Sequence, residues 1–469
     1  MAIITAILLI TALPLYVTFL GVYLPQSKYR QGLLFAVRLP EEALESAEIR
    51  RVRQRFNKQM AYVAIGMALL LAVLLVLLHK WVAYQMIGYV VWMIAGTIGM
   101  VMPFRRAFRD TLAAKRLHNW YVGPRNTVWS DLRVAQLKNE RAAPMALFAV
   151  PAALSAGLIW LGYEQGIVVA GIAAAFLTAV LAALSLAVRA SKTKVYSRNS
   201  EVNVALNQHF RRMWTYALWW VAVAENVHAW LAIRLALTYG EDMYGFWLAS
   251  FALFTLLPIG VFFYAHRNVR RTEREMLAAD SQVIYSDDDE YWGNGFTYHN
   301  PKDRSLFVEK RVGIGMTINT GTLAGKIIVG GIIGVTVGIL AFVLFLLVRS
   351  ELTDPEMIVT PERVDIRYPM YNVQFDVADI EQLALVDDIP SGAKVNGEAT
   401  ERVARGHFRL KELGTSRLYV FKNQPPYIQI KLSDGYIFYN ERDPQRTEQL
   451  YEQLRQYAAS GHGEMSSAK

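Results

Sequence analysis

Long apolar runs and polar gaps alternate along residues 1–350, and the runs have the length that a bilayer sets. Eight of them lie near 2–24, 60–79, 83–102, 145–163, 167–188, 213–239, 244–265 and 327–348. Each holds about 20 residues, enough to cross roughly 30 Å of hydrocarbon as α-helix. The first has neither a basic leader nor a small-residue cleavage site and reads as a retained helix. Pro14 is tolerated there because neighbouring helices can satisfy the carbonyl it frees. Ahead of the second run, Leu39-Pro40-Glu41-Glu42 marks a helix start, and Ile49, Val52 and Phe56 give that helix an apolar stripe beside a basic face. The stripe predicts a helix lying on the bilayer surface or docked beneath the bundle.

The period changes after residue 355. Met357–Thr360, Val364–Tyr368, Val373–Asp376, Gln382–Val386, His407–Lys411, Arg417–Phe421, Tyr427–Lys431 and Tyr436–Tyr439 alternate or are rich in β-formers, with Ser433-Asp434-Gly435 and Gln424-Pro425-Pro426 as turns. Asp443-Pro444 then starts an amphipathic helix reaching about Ala458. About seven strands and one helix predict a small barrel plugged at one end. Segment 391–406, rich in Gly, Ala and charge, reads as a mobile contact loop.

Charge orients the runs. The odd gaps, 25–59, 103–144, 189–212 and 266–326, hold eight, nine, six and nine Lys/Arg, whereas the even gaps hold Lys80 alone. Basic residues near helix ends stay on the cytoplasmic side. With eight spans, the N-terminus and the C-terminal region are then expected outside. The net charge of +9 divides into +14 for residues 1–350 and −5 for residues 351–469. A nucleic-acid partner is therefore not expected, because the positive charge sits where anionic headgroups attract it. The chain has no cysteine, which excludes disulfides, thiolate metal sites and cysteine nucleophiles.

Two features inside the spans stand out. Glu225 and His228 share a helix face in the sixth span, beside Asn226, with Arg234 nearer the outer end. An ionisable residue at that depth faces a partner or a water-filled cavity. The pair reads either as a hydrogen-bonded polar pair that locks the bundle or as a proton relay or polar ligand site. In the last span Gly330, Gly334 and Gly338 form a packing face at the spacing that lets two helices approach closely, within the chain or between copies.

The seventh gap carries the most specific pattern. Asp287 to Glu290 read as a solvated acidic run, followed by a short aromatic strand, an Asn300-Pro301 turn and a second strand with basic ends. Trp292, Gly293, Tyr298, Asn300, Pro301, Asp303, Phe307, Val308, Lys310, Arg311, Gly313, Gly315, Thr317 and Asn319 resemble the signature of a family of uncharacterised multi-pass membrane proteins of Gram-positive bacteria. The Phe35–Glu42 segment and its basic helix are similar to the same family. Many of its members carry an extracytoplasmic Pro-x-His-x-Asn loop tied to immunity functions, which the short gap Tyr163–Gly166 lacks. In the C-terminal region, the run from Gly414 through Arg417-Leu418-Tyr419-Val420 to Pro425-Pro426-Tyr427 resembles a bacterial pleckstrin-homology (PH)-type domain. Its acidity favours a protein or peptide partner over anionic phosphoinositides.

The fold expected is an α-helical polytopic membrane bundle of about eight helices plus a C-terminal all-β PH-like barrel with one capping α-helix. Residues 1–265 form a seven-helix region with basic loops, 266–326 a cytoplasmic signature loop, 327–348 the last span, 355–460 the PH-like domain and 461–469 a disordered tail. The expectation is a non-enzymatic protein of a bacterial plasma membrane, of sensor, immunity or envelope-stress type, with the lipid bilayer as its environment and no cofactor. The alternative is a small transporter or proton-coupled carrier using Glu225 and His228. No Ser/His, paired-Asp or zinc-helix constellation lies in the spans to support intramembrane catalysis.

Overall fold

The computed structural model describes residues 2–77, 82–124, 131–165, 167–238, 244–284, 287–400 and 402–466. Lys80, Gly166, the Gly240-Glu241-Asp242 gap and the last three residues of the expected tail lie outside them. Ten α-helices are described: α1 Ala2–Tyr23, α2 Ala47–Leu77, α3 Val82–His118, α4 Leu132–Leu137, α5 Ala149–Glu164, α6 Val168–Ala190, α7 Ser200–Thr238, α8 Tyr244–Ala278, α9 Leu323–Leu352 and α10 Pro444–Ser466. Among the described residues, seven of them (α1, α2, α3, α5, α6, α8 and α9) are long and apolar enough to cross a membrane. The sixth expected span, α7, does not reach that composition because Glu225, Asn226, His228 and Arg234 interrupt it. It nevertheless packs between α6 and α8 along its length, and it reaches the C-terminal strands.

Several helices continue past their apolar runs. The expected surface helix before the second span is the first part of α2, after a 3₁₀ turn at Glu41–Glu45. Its stripe docks: Ile49 and Phe56 are fully buried, and Val52 packs beside them. Phe35, Leu39, Phe104, Phe108, Trp292 and Tyr298 complete that core, so three basic segments distant in sequence share one apolar centre. Here the chain forms short hairpins: β1 Leu33–Leu34 with β2 Val37–Arg38, β3 Trp292–Gly293 with β4 Thr297–Tyr298, and β5 Phe307–Glu309 with β6 Met316–Ile318. The β3–β4 turn needs positive φ at Asn294 and Gly295. A side chain at Gly295 would also meet the Phe104 ring at 2.8 Å.

The C-terminal region is β-rich, but among the described residues its strands do not close into a barrel. Strands β7 Glu356–Val359, β8 Arg363–Arg367 and β9 Val373–Asp376 form one antiparallel sheet. Strands β10 Gln382–Val386, β11 Gly392–Ala399, β12 Val403–Leu410, β13 Gly414–Phe421, β14 Tyr427–Leu432 and β15 Gly435–Tyr439 form a second, in the order β10-β14-β15-β13-β12-β11. The expected mobile loop at 391–406 is instead the β11–β12 hairpin. Its Gly, Ala and charged residues concealed the strand because an edge position needs little apolar side chain. Strand β15 lies parallel to β13, against the order that simple hairpins would give. Asn440 fixes that crossover, its amide accepting from Phe421 N at 2.7 Å and donating to Phe421 O at 3.1 Å. One apolar core, including Val364, Ile366, Phe375, Ile428 and Tyr439, joins both sheets to Leu454 of α10.

Candidate functional site

The four basic segments fold into one ion-paired layer at a common end of the bundle. Lys115, near the end of α3, is fully buried and donates to Asp289 at 2.6 Å and to Asp287. Arg311 pairs with Asp288 and Asp289, donates to Ala36 O at 2.6 Å, and lies 5.2 Å from the centre of the Trp292 ring. Arg38 N completes the set, donating to Asp289 at 3.0 Å. The expected solvated acidic run is thus corrected: Asp287 and Asp289 are buried because Lys115 of α3, and for Asp289 also Arg311 and the Arg38 N–H, meet them. Burial raises the pKa of Asp288, but the Arg311 charge, the Trp292 hydrogen bond and the Lys192 charge together outweigh it and hold the carboxyl below its ordinary range.

A second network ties the signature turn to the segment after α6. Lys192 donates to Asp303 at 2.6 Å, and Tyr298 OH donates to the same oxygen at 3.0 Å. Asn300 Nδ2 donates to Tyr298 OH at 3.0 Å, and Asn319 donates to Asn300 O at 3.0 Å and Asp303 O at 2.8 Å. Burial opposes charge on both Lys192 and Asp303, yet their mutual hydrogen bond and attraction, with Tyr298 beside the lysine and the Ser305 N–H on the aspartate, together win, raising the lysine pKa and lowering the aspartate pKa. Phe307 O accepts from Lys192 N at 2.9 Å, and Lys310 N donates to Gly315 O at 3.0 Å across the β5–β6 turn. Pro301 carries the chain out of this turn, and burial lowers the Lys310 pKa.

Helix α9 leaves the layer with Thr322 as its N-cap, accepting from Gly325 N at 3.0 Å. Asn319 anchors that start, accepting from Gly321 N at 2.9 Å. At the other end the C-terminal region grips the helix. Arg405 Nη1 donates to Ser350 O at 3.4 Å and Thr353 O at 3.2 Å, and its Nη2 donates to Asp354 at 2.9 Å. Tyr368 OH donates to Ser350 O at 3.2 Å, and Glu351 accepts from Ala83 N, at the start of α3, at 3.3 Å. Between the clamps none of the apolar stretch is buried. Among the described residues, a Cβ at Gly330, Gly334 or Gly338 would have no neighbour within 4 Å, so this face is not closely packed.

The sixth expected span places its polar groups differently from their chemical strength. Glu225 and His228 approach to 3.5 Å, both half-buried, with the His228 ring stacked on Phe254 at 4.6 Å. The buried group is Asn226. It accepts from Ser155 of α5 at 2.7 Å and donates to Thr178 of α6 at 2.9 Å. The pattern of charge hides this lock, because Ser155 and Thr178 lie among small residues and look unremarkable in sequence. An amide amid apolar residues in one helix and hydroxyls in two others is the signal that points to it. Lys115, Lys192, Arg405 and Asp354 are likewise legible only once distant segments are brought together.

Seven apolar helices, joined to a polar layer at one end and a β-rich region at the other, define a membrane-embedded, multi-pass helical protein. Residues 301–326, from the signature turn into the start of α9, match a family of unknown function (DUF5808). No curated protein and no solved structure matches the chain.

Proposed function

We propose that the chain is a non-enzymatic, eight-pass protein of a bacterial plasma membrane that couples a PH-like interaction region outside to the ion-paired layer inside. The observation that carries this reading is the double clamp on α9. Its first turn is built into the Asn300–Asp303–Asn319 network, and its last turn is held by Arg405 and Tyr368. Among the described residues no part of the apolar window between the clamps is buried, so a shift of the β-rich region has in α9 one continuous helix, alongside α3, through which to reach the layer. In this reading α7 is the eighth pass, its polar side chains satisfied by α5, α6 and α8. The sensor or envelope-stress role needs only such a two-ended element whose balance a partner can bias.

Arg405→Gln tests the coupling in nanodiscs by amide hydrogen exchange. Coupling predicts faster exchange in residues 300–322 as well as in the C-terminal region. A change confined to the C-terminal region overturns it.

A further inference from the structure

A cleft of about 430 Å³ lies between the end of the helical bundle and the six-stranded sheet. Its bundle side is Glu164, Gln165, Val168 and Val169, where α5 turns into α6, and its sheet side includes Asn396, Arg409 and Thr415. The turn is rigid. A Cβ on Gly162 would meet Ile167 O at 2.8 Å, and one on Gly171 would meet Ile159 N at 2.6 Å. Arg409 is anchored across the gap, its Nη1 donating to Gln165 O at 3.1 Å and to Gln165 Oε1 at 2.8 Å.

The depth of the cleft follows from its surroundings. Trp160 and Tyr163, on the last turns of α5, are 66% and 79% exposed, the placement of aromatics at a headgroup boundary. Below the cleft, exposed Val169, Ile172 and Phe176 continue down α6 as an apolar track. The cleft therefore opens where headgroups lie, with a path for acyl chains beneath it. Its charges are one guanidinium and one carboxylate, Arg409 and Glu164, and no ion pair joins them among the described residues. His407 adds no cation at neutral pH, because burial and the neighbouring Arg417 charge lower its pKa.

We propose that this cleft binds the headgroup of a zwitterionic phospholipid carrying a primary ammonium, of the phosphatidylethanolamine type. Arg409 receives the phosphate through charge-assisted hydrogen bonds, and Glu164 receives the ammonium, whose three N–H donors a quaternary amine lacks. The acyl chains follow Val169 and Ile172. The proposal rests on the bilayer setting of the helices and is independent of signal coupling through α9.

Native mass spectrometry of the full chain in detergent tests it, with dihexanoyl phosphatidylethanolamine, phosphatidylglycerol, phosphatidylcholine and inorganic phosphate as probes. The expected result is one saturable phosphatidylethanolamine per chain, with phosphatidylcholine and phosphatidylglycerol each weaker. Arg409→Gln should weaken it by about tenfold or more, as expected for loss of a charge-assisted contact. Glu164→Gln should move the preference toward phosphatidylglycerol. Thr415→Trp fills the cleft without changing charge and should abolish binding. Equal binding by the wild type and Arg409→Gln, equal use of phosphatidylcholine, or binding of inorganic phosphate alone would overturn the assignment.

Discussion

Lys192 and Asp303, 111 residues apart in sequence, meet at 2.6 Å and fasten the segment after α6 to the signature turn. Asp303 is buried and also accepts from Tyr298 OH, whereas Lys192 keeps a quarter of its side chain exposed. Asp303→Asn keeps the shape but removes the charge, and should cost about 1–3 kcal/mol. Thermal unfolding in detergent measures it, and exchange protection should fall first at residues 298–320. An unchanged melting temperature would show that the pair is ornamental.

The same pair sets a pH window. Asp303 has a folded pKa below its ordinary value of 3.8, so its contribution is present above that value and is lost as pH falls through the folded value. Lys192 has a folded pKa above its ordinary 10.5, so its contribution is present below that value and is lost as pH rises through the folded value. The contribution of this pair to stability should therefore be flat from about pH 5 to pH 9 and fall outside it. Asp303→Asn should flatten the acid limb. An acid limb of unchanged steepness in that variant would refute the assignment.

Lys115 offers a sharper contrast because it has no solvent exposure. Lys115→Met takes from Asp287 its hydrogen-bonded cation and leaves it the nearby Arg38 charge, while Asp289 keeps Arg311 and the Arg38 N–H. Breaking a buried pair from one side costs about 3–5 kcal/mol, most of it the penalty of the uncompensated charge. Adding Asp287→Asn should then restore part of the loss. A double variant less stable than Lys115→Met would show that Asp287 has another partner.

What could be read directly was whatever local period and composition decide. The apolar runs became α1, α2, α3, α5, α6, α8 and α9, and β9 and β10 begin and end where their alternation does. The Asn300-Pro301 turn between two short strands is also present. What was hidden depends on partners distant in sequence. Asp287 looks solvated until Lys115 reaches it, and β11 looks like a loop until β12 pairs with it. Among the described residues the barrel does not close because no strand of β7–β9 pairs with the six-stranded sheet, and within that sheet β15 lies beside β13, an order held by Asn440 rather than shown by any strand's own pattern. At the candidate intramembrane pair, charge drew attention to Glu225 and His228, while the buried lock belongs to their neighbour Asn226.

That difference separates a structural from a transporting sixth span. Asn226→Leu removes an acceptor from Ser155 and a donor to Thr178, and should destabilise the bundle by about 0.5–2 kcal/mol. Glu225→Gln and His228→Gln, at half-buried sites, should change stability by less than Asn226→Leu. If the chain is a proton-coupled carrier, the last two variants abolish flux in proteoliposomes while folding is intact. No flux in the wild type removes the carrier reading.

Orientation is open to a direct chemical test because the natural chain has no cysteine. Gln54, on the part of α2 within the layer, and Gln374, on β9, are both exposed and belong to opposite ends of the bundle. Gly397 is an unsuitable reporter. Its φ of +155° and the 2.1 Å approach of Arg405 O to a Cβ there would strain the β11–β12 hairpin. Single Gln54→Cys and Gln374→Cys variants should give opposite results with a membrane-impermeant thiol reagent on intact cells. The clustering of Lys and Arg on the Gln54 side predicts labelling of Gln374→Cys alone. Labelling of Gln54→Cys alone would invert the protein in the membrane, and equal labelling of both would mean that α7 does not cross.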